Sequence, residues 1–222
     1  MTKITAHAGC ENTAPGSREG IETAISLGAD VVEIDLRLLD GRIWLSHDLP
    51  DTARMHTYLT LERALEVLRG SRAEINCDLK DEEAFPHALK IIRRMNLESR
   101  VIFTGEFRPG FLCDGDRYRY FQNAEYLFGM DPGRKLSQAD AEHLVAYYRS
   151  NGSKFFGGYN ISYKTLTPQT LQTLSRAGVP LSCWTVDEEH SIDFFLRENI
   201  AYLTTDQVKY AVRQRAVLQS FV

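Results

Sequence analysis

Short runs of β-branched and aromatic residues alternate with amphipathic stretches of helical length along the whole chain. A chain in which strands and helices take turns builds parallel strands joined by right-handed crossovers. About eight such units favour a closed (β/α)8 TIM barrel over an open doubly wound sheet, so the predicted fold class is α/β. The predicted strands are Ile4 to His7, Val31 to Leu36, Ile43 to Ser46, Ile75 to Leu79, Val101 to Thr104, Tyr118 to Phe121, Phe155 to Ile161, Leu181 to Val186 and Ala201 to Thr204. The predicted helices are Ser17 to Leu27, Thr60 to Leu68, Glu82 to Met95, Ser137 to Arg149, Pro168 to Ala177, Glu188 to Glu198 and Asp206 to Gln219.

One pair of strands departs from this alternation. Val31 to Leu36 and Ile43 to Ser46 are joined through Asp40-Gly41, a dipeptide typical of hairpin turns. A small hairpin is therefore predicted as a decoration after the second strand. No low-complexity tract or Pro- and Ser-rich linker interrupts the sequence, which predicts a single domain over residues 1–222.

Charge and composition exclude several classes of function. The 222 residues include 26 Lys and Arg against 30 Asp and Glu, a net charge of −4, so nucleic acid is not an expected partner. The N-terminal residues show no apolar core of a secretion signal, and no uncharged apolar run reaches the roughly 18 residues of a membrane span. We therefore expect no integral membrane segment and a cytoplasmic location. The four cysteines form no C-x-x-C pair, which predicts reduced, mostly buried thiols.

Acidic residues lie at predicted strand ends, where a barrel has its catalytic face. Glu33 and Asp35 are two positions apart on the second strand, so both carboxylates point to one side, and Asp78 and Lys80 repeat this spacing on the next barrel strand. Unpaired carboxylates are costly in a buried strand, so a positive charge must compensate them. The residues leave two candidates open. One is an ion pair with Arg37 or Lys80, and the other is Mg²⁺ or Ca²⁺ held by Glu33, Asp35 and Asp78.

Two histidines and several neutral side chains also lie at strand ends. His7 ends the first strand, and His47 closes the return of the hairpin. Trp184 ends a late strand and is expected to line the pocket, because barrel strand ends face the site. Asn160 and Asn123, near the ends of other late strands, are candidates for binding substrate hydroxyls by the same argument.

Several short motifs follow one another in an informative order. They are Ala6-His7-Ala8-Gly9, Gly28-Ala29-Asp30-Val31-Val32-Glu33-Ile34-Asp35, Asp40-Gly41, Ser46-His47-Asp48, Ile75-Asn76-Cys77-Asp78-Leu79-Lys80, Cys183-Trp184-Thr185-Val186-Asp187 and Thr204-Thr205-Asp206. As an ordered set they resemble the glycerophosphodiester phosphodiesterase family of phospholipase C-like TIM barrels. The resemblance extends over nearly the whole chain, and its specificity lies in the set rather than in any one motif.

The resemblance implies a barrel that hydrolyses a small-molecule phosphodiester, such as glycerophosphocholine, to glycerol 3-phosphate and an alcohol. The residues that it implies are Glu33, Asp35 and Asp78 for a divalent cation, His7 and His47 for acid–base chemistry, and Lys80 for the charge on the phosphate. Two alternatives stay open. One is a phospholipase D-like barrel, in which a substrate hydroxyl attacks phosphorus and leaves a cyclic phosphate. The other is a non-catalytic barrel that binds a phosphorylated metabolite. Assembly into a homo-oligomer also stays open.

The chain departs from the family pattern in ways that affect the site. Ala8 stands where the family usually has Arg, so a bidentate phosphate clamp is missing, and Lys80, the metal or an unassigned Arg must do more. Asp78 is one methylene shorter than the usual Glu. About a dozen residues separate His47 from the next predicted helix, so an insertion common in the family is missing and a more open mouth is expected. Phe107 to Met130 is the candidate for a loop that covers the site or contacts another subunit.

Overall fold

The computed structural model describes residues 1–105, 119–127, 129, 133–152, 157–198 and 200–220. The strands within these residues are β1 (Lys3–Ala6), β2 (Val31–Leu39), β3 (Arg42–Leu45), β4 (Glu74–Leu79), β5 (Val101–Gly105), β6 (Arg119–Asn123), β7 (Gly158–Ser162), β8 (Leu181–Trp184) and β9 (Tyr202–Thr205). The α-helices are α1 (Arg18–Ser26), α2 (Leu61–Arg69), α3 (Ala84–Arg94), α4 (Ala124–Leu127), α5 (Gln138–Tyr147), α6 (Pro168–Arg176), α7 (Glu189–Arg197) and α8 (Val208–Gln219).

Eight of these strands close into a barrel. Its hydrogen-bonded order is β1-β2-β4-β5-β6-β7-β8-β9, β9 pairs with β1, and each pairing in the ring is parallel. The remaining strand, β3, pairs antiparallel with β2 outside the ring. The predicted (β/α)8 barrel with a hairpin after its second strand is therefore confirmed. The extent of a single domain over residues 1–222 stays a prediction.

Polar side chains fix where the helices begin and end. Ser17 caps α1 by accepting a hydrogen bond from the backbone N–H of Gly20 at 3.0 Å, and Thr60 caps α2 in the same way. Thr167 caps α6, which has a proline in its first turn. Gly28, two residues after α1, has a φ of 81°, which a glycine adopts without strain. Among the described residues, no helix is both long and apolar enough to cross a membrane.

Two other regions were singled out in the sequence. Cys10, Cys77 and Cys183 are buried and free, as predicted, and Cys113 lies outside the described residues. Within the predicted Phe107 to Met130 loop, residues 119–127 form β6 and α4. The rest of that loop, at 107–118, 128 and 130, lies outside the described residues.

Side chains from alternate strand positions fill the barrel in layers. At the N-terminal ends of the strands, Lys3 and Arg119 both pair with Glu74, each with an N–O distance of 2.8 Å. Val31, Ile102, Phe121 and Tyr202 form an apolar layer of their own. Because residues two apart in a strand share a face, the next level along the same strands is polar. It contains Glu33, Thr104, Asn123 and Thr204. The apolar layer therefore lies directly below the polar residues at the carboxyl ends of the strands.

Gly158 in β7 leaves room for this apolar layer. A β-carbon at this position would overlap the carbonyl oxygen of Pro180 and the ring of Phe121. We therefore expect Gly158→Ala to reduce the free energy of unfolding by about 3 kcal/mol, measured by urea titration. Gly70→Ala is the matched control, because its new methyl group would lie 3.7 Å from the Val67 carbonyl oxygen, an ordinary contact. Equal stability of the two variants would contradict this account of the barrel interior.

Candidate active site

Three carboxyl groups meet on the adjacent strands β2 and β4. Their register pairs Glu33 with Asn76 and Asp35 with Asp78, which places the acidic side chains at neighbouring levels. One oxygen from each of Glu33, Asp35 and Asp78 lies within 4.8 Å of the others. Asp35 is buried, and the other two are partly buried. The three carboxyl groups that the sequence singled out are thus close enough together to share one ion.

Lys80 and Arg37, the two side chains predicted as possible partners of the acidic cluster, form different ion pairs. The Nζ of Lys80 lies 3.1 Å from Oδ1 of Asp35, and it also contacts Oδ2 of Asp78. Arg37 instead pairs with Asp81, with an Nη1–Oδ1 distance of 2.7 Å. Lys80 therefore compensates part of the acidic cluster, while Arg37 belongs to a different ion pair. One ammonium facing three carboxyl groups leaves acidic oxygens in excess.

The remaining acidic oxygens fit a hard divalent cation. Oδ1 of Asp35 is buried, and the ammonium of Lys80 lies 3.1 Å from it without forming a well-directed hydrogen bond. Burial, together with the negative charges of Asp78 and Asp35, raises the pKa of Glu33 to about 8. A bound cation would satisfy the first atom and favour ionisation of the second group. An all-oxygen donor set of this kind suits Mg²⁺ or Ca²⁺.

Neutral side chains hold the carboxylates in place. The side-chain amide of Asn76 donates to Oε2 of Glu33 at 2.9 Å. The hydroxyl of Thr104 lies 2.8 Å from Oδ1 of Asp78 and 3.1 Å from Oδ1 of Asn76, so it links the two sides of the cluster. Partners of this kind orient metal-binding groups before an ion arrives. Sequence reasoning missed Thr104, and the available signal was a polar residue at the end of an otherwise apolar strand.

A carboxyl group lies near each ring nitrogen of His7, and one of them forms a hydrogen bond with it. Its Nδ1 lies 2.9 Å from Oδ1 of Asp206, and its Nε2 lies 3.9 Å from Oε1 of Glu33. Burial lowers the pKa of His7, but the hydrogen bond with Asp206 and the charge of Glu33 outweigh burial and raise the pKa to about 9. Because an ionised carboxylate only accepts, Nδ1 of His7 carries a proton. Sequence reasoning assigned no role to Asp206, although its place directly after a barrel strand was a usable signal.

His47 reaches the same site in a different way. Its side chain is 66% exposed, and its Nδ1 lies 3.0 Å from Oδ1 of Asp48, which is more exposed still. The backbone carbonyl of His47 accepts a hydrogen bond from Nε of Arg37 at 3.0 Å. The backbone of His47 is therefore anchored to β2, while its ring faces solvent at the mouth of the barrel.

A cavity of about 520 Å³ opens at the carboxyl ends of the barrel strands. Its lining includes His7, Glu33, Arg37, His47, Asp78, Lys80, Asn123, Asn160 and Trp184. The side-chain amide of Asn160 donates to Oδ1 of Asn123 at 2.9 Å. All of the predicted site residues except Asp35 line this cavity, and Asp35 is buried against Lys80. The structure thus brings the predicted residues together, and their individual roles stay predictions.

Two pKa shifts act on stability in the same direction in the cation-free protein. The pKa of His7 rises from 6.5 to about 9, so its stabilising contribution is fully present below about pH 6.5 and is lost as the pH rises through about 9. The pKa of Glu33 rises from 4.5 to about 8, so its contribution is lost as the pH rises through about 8. We expect the free energy of unfolding in EDTA to fall as the pH rises from about 4.5 to about 9. His7→Gln should show a smaller fall over the same range. Urea titrations at several pH values measure this, and equal slopes in both proteins would contradict it.

No sequence-family model matches the chain, and no curated protein matches it. Solved structures do match. A glycerophosphodiester phosphodiesterase from Thermotoga maritima superimposes with a TM-score of 0.72 at 20% identity, covering 97% of this chain and 99% of that one. One from Parabacteroides distasonis gives a TM-score of 0.72 at 19% identity, covering 99% and 98%. This chain shares their fold. An Oleispira antarctica phosphodiesterase in complex with the product sn-glycerol-3-phosphate gives a TM-score of 0.74 at 17% identity, covering 96% of both chains.

Proposed function

We propose that the chain is a metal-dependent member of the glycerophosphodiester phosphodiesterase family, hydrolysing glycerophosphodiesters to glycerol 3-phosphate and an alcohol. The observation that carries the proposal is the meeting of His7, His47 and the acidic cluster at one cavity. The fold that this chain shares with solved phosphodiesterases, one of them in complex with glycerol 3-phosphate, adds support. Chance would rarely place two imidazoles and three carboxyl groups together at the catalytic face of a barrel.

The acidic cluster and Lys80 would manage the charge of the phosphodiester. Glu33, Asp35 and Asp78 would hold Mg²⁺ or Ca²⁺, which when bound supplies positive charge next to the phosphate oxygens. Burial lowers the pKa of Lys80, but the nearby carboxylates of Asp78 and Asp35 raise it well above its usual range. Lys80 therefore stays an ammonium and can stabilise negative charge that develops on the phosphate oxygens.

The two histidines would move the protons of the reaction. As a water oxygen bonds to phosphorus, one imidazole accepts a proton from that water, and the other donates a proton to the alkoxide that leaves. Asp206 holds the ring of His7 through Nδ1, so Nε2 is the nitrogen left for this exchange. His47 approaches from the mouth, where its ring is accessible to a substrate oxygen.

Neutral side chains in the cavity would bind the rest of the substrate. Asn160 is joined to Asn123 by a hydrogen bond, and the amide groups of this pair can also bond hydroxyls of a glycerol moiety. Trp184 offers an apolar wall for the alcohol group. These features support a small-molecule partner, and with a net charge of −4 they argue against nucleic acid. A cytoplasmic location stays an expectation.

One observation favours a second candidate, a barrel that binds a phosphorylated metabolite without turning it over. Lys80 already contacts Asp35 and Asp78, so an ammonium balances part of the acidic cluster in the absence of an ion. Against it, one ammonium balances only part of the charge that three ionised carboxyl groups would carry. The two candidates differ in whether a phosphodiester is consumed.

Product analysis tests the proposal. The purified protein is incubated with glycerophosphocholine, glycerophosphoethanolamine and glycerophosphoglycerol in Mg²⁺ or Ca²⁺, and ³¹P NMR follows the phosphorus signals. Appearance of glycerol 3-phosphate from any of them supports the proposed hydrolysis. A cyclic phosphate as the final product would favour the phospholipase D-like alternative, and unchanged substrates that nevertheless bind would favour the non-catalytic barrel.

A further inference from the structure

A phosphate bound in the cavity would need hydrogen-bond donors besides Lys80. Ala8 follows His7 directly, and its methyl side chain cannot donate a hydrogen bond to a phosphate. Lys80 also contacts Asp35 and Asp78, so part of its charge is already balanced. His7, in turn, is bonded to a carboxylate through Nδ1. A further guanidinium in the cavity would be well suited to a phosphate, whose paired oxygens match its planar donors.

Arg37 provides this group from the second strand. It lies two positions beyond Asp35 on the same face of β2, and it lines the cavity together with both histidines. Its Nε donates to the carbonyl of His47 at 3.0 Å. Its Nη1 donates to the carbonyl of Lys80 at 2.8 Å and to Oδ1 of Asp81 at 2.7 Å. These bonds use three of the five guanidinium N–H groups.

The two N–H groups on Nη2 of Arg37 are the ones left over. In the described part of the chain, no residue accepts a hydrogen bond from Nη2. The guanidinium is nevertheless held firmly, because the other oxygen of Asp81 accepts a hydrogen bond from the backbone N–H of Leu38 at 3.0 Å. A donor that is fixed by its other bonds loses little freedom when a ligand binds.

We infer that Arg37 is a substrate-binding residue whose Nη2 group donates hydrogen bonds to a non-bridging phosphate oxygen. This inference rests on the proposed function, because it assigns a part of the same cavity. The alternative is that Arg37 only ties the hairpin to β4, in which case its replacement changes stability but not phosphate affinity.

Binding of glycerol 3-phosphate tests the inference without relying on turnover. Isothermal titration calorimetry in Mg²⁺ compares the wild type with Arg37→Gln, Arg37→Lys and the control Arg42→Gln. Arg42 is an exposed arginine of the same hairpin that does not line the cavity. We expect Arg37→Gln to weaken binding at least about 10-fold and Arg37→Lys at least about threefold, since lysine keeps the charge but loses the planar fork. Arg42→Gln is expected to bind as the wild type does.

Thermal melting of each variant reports whether it is folded. Should Arg37→Gln not fold, Arg37→Lys carries the test with its smaller expected effect. A folded Arg37 variant that binds glycerol 3-phosphate as tightly as the wild type would overturn the inference and leave the proposed function intact. A wild type that neither binds glycerol 3-phosphate nor releases it from a glycerophosphodiester would overturn the proposed function itself, and the inference with it.

Discussion

Replacing His7 with alanine is expected to lower kcat for glycerophosphodiester hydrolysis by at least about 100-fold. The imidazole of His7 lies in the cavity beside Glu33, and Asp206 fixes its orientation, so alanine removes a positioned proton-transfer group. The same loss is expected for His47→Ala, whose ring stands at the mouth of the cavity. Release of glycerol 3-phosphate under saturating substrate gives kcat directly, and melting curves show whether each variant keeps its fold.

His190→Ala is the control for this pair of variants. His190 is an exposed histidine on α7 and does not line the cavity, so its loss should leave kcat within about twofold of the wild type. Near-normal turnover in His7→Ala or in His47→Ala would remove that histidine from the mechanism. Because the backbone of His47 is anchored through Arg37, its alanine variant is not expected to move the hairpin.

Asp35→Asn should separate cation binding from folding. The amide keeps the shape of the side chain but removes its charge, so we expect the affinity for Mg²⁺ or Ca²⁺ to fall at least about 100-fold, with a parallel loss of activity. The melting temperature in EDTA should equal or exceed that of the wild type, because electrostatic repulsion among the side chains of Glu33, Asp35 and Asp78 is reduced. Calorimetric titration with each cation measures the first effect and thermal melting measures the second.

Asp193→Asn is the matched control for the cation experiment. Asp193 lies on α7, where one of its oxygens is 3.3 Å from the hydroxyl of Tyr210, and it is not part of the acidic cluster. Its amide variant should bind cations as the wild type does. Undiminished cation binding by Asp35→Asn would show that the ion is held elsewhere on the protein.

The fold could be predicted from the sequence because local patterns specify it. Alternating runs identified the barrel strands, and capping residues such as Ser17 and Thr167 marked helix starts that the structure reproduces. The site was predictable to the extent that barrel topology places strand ends on one face. That rule brought together residues as far apart in the chain as His7 and Trp184, without any information on distances.

The partners within the site could not be predicted in the same way. Asp206 reaches His7 because β9 closes the ring against β1, a pairing between the two ends of the chain that no local pattern encodes. Whether Lys80 balances the acidic cluster depends on distances of a few ångströms, which spacing along a strand does not determine. The bonds of Arg37 to two backbone carbonyls leave no trace in the sequence at all.

We propose that this cavity hydrolyses a phosphodiester with the help of a cation. The rate of glycerol 3-phosphate release from glycerophosphocholine tests this proposal when one purified preparation is measured in Mg²⁺ or Ca²⁺, after EDTA, and after the cation is restored. We expect turnover that EDTA abolishes and that the restored cation recovers. Release that continues unchanged in EDTA, or no release from any glycerophosphodiester under any of these conditions, would contradict it.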